Sequence, residues 1–259
     1  MSDSKLPNAA SELAGLTAIV TGSSSGIGRA MALELASAGA DCLVHGSRNR
    51  EGAESVAAQI RALGRRADVL LTDLSQAAEQ ERFAEQAWQW QGKVDIWINN
   101  AGADTLTGAA AKRSFEQKLE ALWRVDVAAT IGLSRFIGAK MKERGQGVIL
   151  NIGWDQAEQG MAGDSGELFA AAKGAVMAFT RSLSRSLAPE VRVNCLAAGW
   201  IKTKWADQAS TYWQERAASE SLLGRWGTPD DVARAARFLV SPAAAFINGQ
   251  VIAINGGTK

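Results

Sequence analysis

Residues 16–34 read Leu16-Thr-Ala-Ile-Val-Thr-Gly22-Ser-Ser-Ser-Gly26-Ile-Gly28-Arg-Ala-Met-Ala-Leu-Glu34. An apolar, β-branched run opens the stretch, three glycines and three serines follow, and an alanine- and leucine-rich segment with helical spacing closes it. Strand, glycine loop and helix in that order form a dinucleotide-binding turn: glycine lets the backbone approach a pyrophosphate, and the free amides of the helix N-terminus meet its charge. Thr21, Gly22, Ser24, Ser25, Gly26, Ile27 and Gly28 are therefore expected to bind cofactor.

Working outward, short apolar runs alternate with longer amphipathic stretches. Strands are expected at Leu16, Asp41, Ala67, Val94, Gly147, Val191 and Gln250, and helices over residues 27–37, 51–63 and 76–90. Such alternation implies parallel strands joined by crossover helices, hence an α/β fold with a doubly wound, Rossmann-type, seven-stranded parallel sheet and helices on both faces. Ser114 and Gln117 form a capping-box signature before a long helical stretch that ends near Gly145. Residues 153–166 and 200–227 break the compact alternation. Both leave carboxyl ends of strands, where such sheets bind ligands, so both are expected to be substrate loops.

The chain has 259 residues, a net charge of +1 and two cysteines. One domain over residues 14–259, preceded by a polar extension over residues 1–13, accommodates that length. Balanced charge gives no reason to expect nucleic acid or an anionic membrane as partner, and a small-molecule substrate is expected instead. No apolar leader stands at the N-terminus and no run approaches the roughly 20 apolar residues of a membrane span, so a cytoplasmic protein is expected. Cys42 and Cys195 lie in apolar strand-like runs and read as small hydrophobes, with no disulfide and no metal site expected.

Further motifs follow in order: Asp73-Leu74 after the third strand, Asn99-Asn100-Ala101-Gly102 after the fourth, Arg192-Val-Asn194, and Asn255-Gly256-Gly257 near the end. Together with residues 21–28, this series resembles the short-chain dehydrogenase/reductase family over residues 14–257. The resemblance implies a nicotinamide cofactor contacted by Asp73 and Leu74 at adenine, by Asn100, Ala101 and Gly102, by Lys173 at the ribose, and by Gly199, Ile201 and Thr203 near the carboxamide. It also implies a homotetramer or homodimer built through residues 114–144 and 166–187. The second strand runs into His45-Gly-Ser47-Arg48-Asn-Arg50 without an acid; Ser47 and Arg48 can hold a 2′-phosphate, which favours NADP(H) over NAD(H). Alternatively, these arginines are a solvated helix start. His45 reads as structural or adenine-adjacent.

The resemblance breaks at the chemistry. The family's Tyr-x-x-x-Lys pair, one helical turn apart, is Phe169-Ala-Ala-Ala-Lys173 here. Its serine falls on Trp154 or Gly153, its relay asparagine on Asp126, and a proline of its later loop on Ala198. Of the four residues the family uses in its chemistry, Lys173 alone remains. Phenylalanine has no proton to give, and general acid catalysis contributes about 10²- to 10⁴-fold. Asp155, directly after the fifth strand and beside Trp154, is the candidate replacement acid or base; the other reading is a solvated loop carboxylate. Asp164-Ser165 reads as a helix N-cap. Trp154, Trp200, Trp205 and Trp213 fall in the two substrate loops, where they either wall a pocket for an apolar, aromatic or sugar-like ligand or pack a lid helix. The expected function is an NADP(H)-dependent oxidoreductase with a non-standard site. The alternatives are a non-catalytic cofactor-binding protein, acting as sensor or scaffold, and a lyase or isomerase.

Overall fold

The computed structural model describes residues 11–258. Strands β1 (Thr17–Val20), β2 (Asp41–Gly46) and β3 (Ala67–Leu71) are joined by helices α1 (Gly26–Ser37) and α2 (Arg50–Ala62), and α3 (Ala77–Gln89) leads to β4 (Ile96–Asn99). The second half comprises α4 (Phe115–Leu122), α5 (Ala129–Arg144), β5 (Gly147–Trp154), α6 (Gln156–Gln159), α7 (Asp164–Leu187), β6 (Val191–Ala198), α8 (Lys204–Gln208), α9 (Thr211–Glu220), α10 (Pro229–Val240) and β7 (Val251–Ile254). The sheet has the order β3-β2-β1-β4-β5-β6-β7, and every pairing is parallel. The seven expected strands and the doubly wound arrangement are thus present. Strand order reverses between β1 and β4, and the crevice at their carboxyl ends is where such sheets take ligands.

Alternation along each strand divides the core. Ala18, Val20, Ile96 and Ile98 join α1, α2 and α10 on one face, whereas Ile19, Trp97 and Ile149 join α3, α5 and α7 on the other. Burial on both faces explains why these strands are apolar at every position rather than at every second one. Polar groups inside the second layer are paired: the Trp97 indole donates to Asn99 at 2.8 Å, Asn99 donates to Ser134 and Asn151 at 2.8 Å each, and Asn151 donates to Thr180 at 2.9 Å.

Four sequence expectations are corrected. Residues 11–13 belong to the domain, since the Ser11 carbonyl accepts the Ala14 amide at 3.1 Å, Leu13 is fully buried with its amide bonded to the Ala38 carbonyl at 2.9 Å, and Glu12 pairs with Arg237; the rest of the expected extension, residues 1–10, lies outside the described residues. The helix opened by the Ser114–Gln117 capping box is interrupted by a wider π-helical turn at Trp123–Ala128. The segment 200–227 is not a bare loop but carries α8 and α9. Finally, α7 is capped by Gly163, with Asp164 and Ser165 inside its first turn.

Candidate active site

Two adjoining cavities open at the carboxyl edge of the sheet. The first, about 330 Å³, lies over β1–β3 and is lined by Gly22, Ser24, Ser25, Ser47, Asp73 and Leu74, among others. The second, about 540 Å³, lies over β5 and β6. Asn100, Gly102 and Ala103 line both, so the two form one cleft.

Local bonding fixes the first half. The buried Thr21 hydroxyl receives the amides of Asn100 and Ala101 at 2.9 and 3.0 Å, and the Asn100 side chain donates to the Thr21 carbonyl at 2.9 Å. The ends of β1 and β4 are thereby clamped together. Gly22 adopts φ +67°, and a Cβ at Gly28 would stand 2.3 Å from the Gly22 carbonyl oxygen. Only glycine permits that closeness, so the turn into α1 has no room for a side chain at Gly22 or Gly28. Ile27 lines the second cavity, while Gly26 sits beside Ser25 at the adjoining mouth.

His45 holds the floor of this half. Its Nδ1 accepts the Gly22 amide at 2.9 Å and its Nε2 faces the Thr72 carbonyl at 3.1 Å, which requires a neutral ring protonated at Nε2. Burial pushes its pKa down to about 4. Bonds from Ser75, with Arg48 nearby, hold the Asp73 carboxyl below its ordinary value. Ser47 lines the cavity, and the exposed Arg48 stands at its rim near Asp73.

In the second half, Ser165, Phe169 and Lys173 lie four residues apart along α7 and all line the cavity. Lys173 Nζ meets Asp126 Oδ1 at 2.9 Å; the Asp126 side chain is buried and that of Lys173 is 13% exposed. The other Asp126 oxygen accepts the Ala103 amide at 2.8 Å. Asp126 projects from the π-helical turn, and it lies so close beneath the cleft that a Cβ on Gly102 would sit 2.9 Å from Oδ1. Such turns place side chains off the regular helical register and recur at functional sites. A Lys–Asp ion pair thus stands where the resemblance led one to expect a lysine beside a phenol and an amide.

Trp154 faces the cavity, its ring meeting Phe169 edge-on at 6.2 Å. Asp155 does not. Asp155 leaves β5 in a helical rather than an extended conformation, as the N-cap of α6, and its carboxyl accepts from Asn255 at 3.0 Å and from the Gln156 amide at 2.8 Å. Burial pushes the Asp155 carboxyl up, yet it secures the turn after β7 and does not line the cavity, contrary to the expected proton supply.

Trp200, Trp205, Trp213 and Trp226 pack together at centroid distances of 5.5 to 6.1 Å, and the first three line the cavity. Glu220 organises them: it accepts the Trp200 indole N–H at 2.8 Å, Arg216 Nε at 2.6 Å and Gln156 Nε2 at 3.2 Å. Burial alone would raise the Glu220 carboxyl, but these bonds outweigh it and lower it. The tryptophans therefore act both as wall and as lid packing, the two roles the sequence left open. Gly199, Ile201 and Thr203 line the floor between them.

Sequence reasoning missed Asp104, Ser165 and Met161, which also line the second cavity. Ser165 was legible as a position four before Phe169, but its serine suggested a cap. Cys42 and Cys195 are buried free thiols, and burial pushes Cys195 up to about 12. Among the described residues no group of side chains could hold a metal ion, and no helix is long and apolar enough to cross a membrane.

Residues 22–259 match the family described as enoyl-(acyl carrier protein) reductase. The 3-oxoacyl-[acyl-carrier-protein] reductase of Aquifex aeolicus is 33% identical over 251 residues, covering 95% of this chain and 98% of that one. The chain belongs to the short-chain dehydrogenase/reductase family. Among solved structures, a 7α-hydroxysteroid dehydrogenase complexed with NADH and 7-oxo glycochenodeoxycholic acid superposes with a TM-score of 0.87 at 30% identity, covering 97% of each chain. A short-chain dehydrogenase of Burkholderia cenocepacia in complex with NADP gives 0.84 at 32% identity, covering 95% of this chain and 98% of that one.

Proposed function

We propose that this short-chain dehydrogenase/reductase is an NADP(H)-dependent oxidoreductase whose substrate half has been rebuilt around the Lys173–Asp126 pair and an aromatic wall. The observation that carries the proposal is the set of ionisable groups lining the 540 Å³ cavity: Asp104, Asp126 and Lys173, with no phenol, imidazole or thiol among the described lining residues.

The residues present fit a nicotinamide dinucleotide. The Gly22–Gly28 turn is a cradle that a Cβ would fill, and the free amides at the start of α1 suit a pyrophosphate. Ser47 and Arg48 suit a 2′-phosphate, in keeping with the NADP held by the Burkholderia relative; the steroid dehydrogenase, by contrast, holds NADH. Lys173 and Thr203 line the half that would receive the nicotinamide riboside. When bound, the cofactor supplies a hydride donor or acceptor. Asp126 orients the Lys173 side chain, Trp154 and Phe169 close the wall and exclude water, and the Trp200–Glu220 bond holds the lid tryptophans in place.

A second reading, a non-catalytic cofactor-binding protein, draws on the same ion pair: a lysine engaged by a buried carboxylate is a ribose contact more readily than a proton source. Steady NADPH consumption separates the two, since tight NADPH binding without turnover of any acceptor favours the second. Phe169→Tyr combined with Trp154→Ser tests the rebuilding. A merely decayed carbonyl reductase should regain measurable ketone reduction. In a rebuilt site the double change should instead abolish the native activity.

A further inference from the structure

Reduction of a ketone places negative charge on oxygen, and that oxygen must receive a proton. The cavity is poor in protons to give. Phe169 stands where a phenol would, and Asp155 turns away to Asn255. Lys173 is bound at 2.9 Å to the buried Asp126; surrendering its proton would leave that buried carboxylate without its counter-charge, which is unfavourable. Ser165 offers a hydroxyl, which is a far weaker acid than a phenol.

The same cavity is suited to a positive ligand. Trp154, Phe169, Trp200, Trp205 and Trp213 supply ring faces and edges, and aromatic faces attract cations most strongly where water is excluded. Two carboxylates, Asp104 and Asp126, line the cavity against one ammonium, that of Lys173. Lys204 stands at the outer mouth and does not line it. Burial would raise the Asp104 carboxyl, but bonds from Thr107 and the Leu106 amide outweigh it, so it is held ionised. The rings already carry one planar cation from behind: the Arg216 guanidinium lies 5.1 Å from the Trp213 centroid and 6.0 Å from that of Trp200, paired with Glu220 at 2.6 Å. Arg216 does not line the cavity, and Trp200, Trp205 and Trp213, which pack on one another, line it with the parts of their rings that remain.

We propose that this cavity takes a planar iminium cation, and that the phenol is absent because the reaction needs a hydride and no proton. The proposal rests on the reading that the chain binds NADP(H). The iminium carbon accepts a hydride with its electron pair from the reduced nicotinamide, forming one C–H bond. The C=N π pair becomes the nitrogen lone pair, and the products are a neutral tertiary amine and the oxidised cofactor. Charge and electrons balance without an acid. In reverse, a tertiary amine loses hydride without needing a base.

The test uses the full chain. Fluorescence titration first measures NADPH binding. NADPH consumption is then followed with an N-methyl dihydroisoquinolinium salt and with tetralone, a neutral ketone of the same ring size, each corrected with heat-denatured protein. Calorimetry on the NADP⁺ complex compares an unreactive dimethyl tetrahydroisoquinolinium with tetralone. The expected results are a kcat/KM for the iminium at least about a hundredfold above that for tetralone, and cation binding about tenfold tighter. Asp104→Asn, checked for an unchanged melting temperature, should reduce that binding preference several-fold. Absence of NADPH binding would remove the reading beneath the proposal. NADPH binding accompanied by equal or faster tetralone reduction, by no iminium turnover, or by no cation preference would overturn the iminium assignment alone.

Discussion

The two halves of the cleft share a sheet edge but differ in how they are held. Over β1–β4 the backbone itself is the binding surface. Thr21, Asn100 and His45 spend their polar atoms on main-chain groups, and glycines leave no room for substitution. Over β5 and β6 the surface is made of side chains: an ion pair, a serine and five aromatic rings. A site made of backbone tolerates few alternatives and stays recognisable in sequence. A site made of side chains can be replaced residue by residue on an unchanged frame.

The comparison breaks most visibly if the ion pair is dispensable. Lys173→Met or Asp126→Ala should destabilise the fold by about 3–5 kcal/mol, because each strands a buried charge. The double change should recover part of that loss in urea unfolding. Equal stability of the single variants and wild type would show that the charges are solvated rather than coupled.

Next in size, Gly28→Val should weaken NADPH binding by at least about a hundredfold, since the added carbons collide with the Gly22 carbonyl. Fluorescence titration alongside a thermal melt separates lost binding from lost fold. Binding unchanged from wild type would mean that the cradle is not the cofactor site.

His45 sharpens the contrast through pH. Its folded pKa, about 4 against 6.5 for the free group, is depressed, so the folded state binds fewer protons than the unfolded one near pH 5. The stability it contributes is present above pH 6.5 and is lost as pH falls from there towards 4. Between pH 7 and pH 5 that loss amounts to about 2 kcal/mol. His45→Asn should remove it, read as the difference in unfolding free energy between wild type and variant at the two pH values. Parallel curves would show that the ring does not titrate in this window.

A smaller effect is expected at the rim. Arg48→Ala should weaken NADPH binding about tenfold while leaving NADH binding nearly unchanged, because the lost contact is to the added phosphate alone. Equal losses for both cofactors would place Arg48 at the adenine or pyrophosphate instead. The smallest change is one of assembly. Ala171 and Ala178 are exposed on α7, with Ala175 and Phe179 partly buried beside them, and Trp123 is 51% exposed. Burial of this face against a second copy should give a mass above the monomer by light scattering at micromolar concentration; a monomer would leave the face uncovered.

The seven strands, their doubly wound parallel arrangement and the strand–glycine–helix turn were legible in the sequence, because each leaves a local signature: short apolar, β-branched runs alternating with helical stretches, and glycines between a strand and a helix. The structure decided what depends on distant segments meeting. Asp155 was adjacent to the site in sequence, yet the cap of α6 and the distant Asn255 engage its carboxyl. Asp126 became the partner of Lys173 because a π-helical turn, invisible in the residue pattern, displaced it from helical register, and the two lie 47 positions apart. Glu220, paired with Arg216 one turn back on its own helix, gathered Trp200 and Gln156 from two other segments. Local sequence sets backbone geometry and what each residue lacks, whereas the partner of a buried charge is chosen by packing, which couples residues that no local pattern relates.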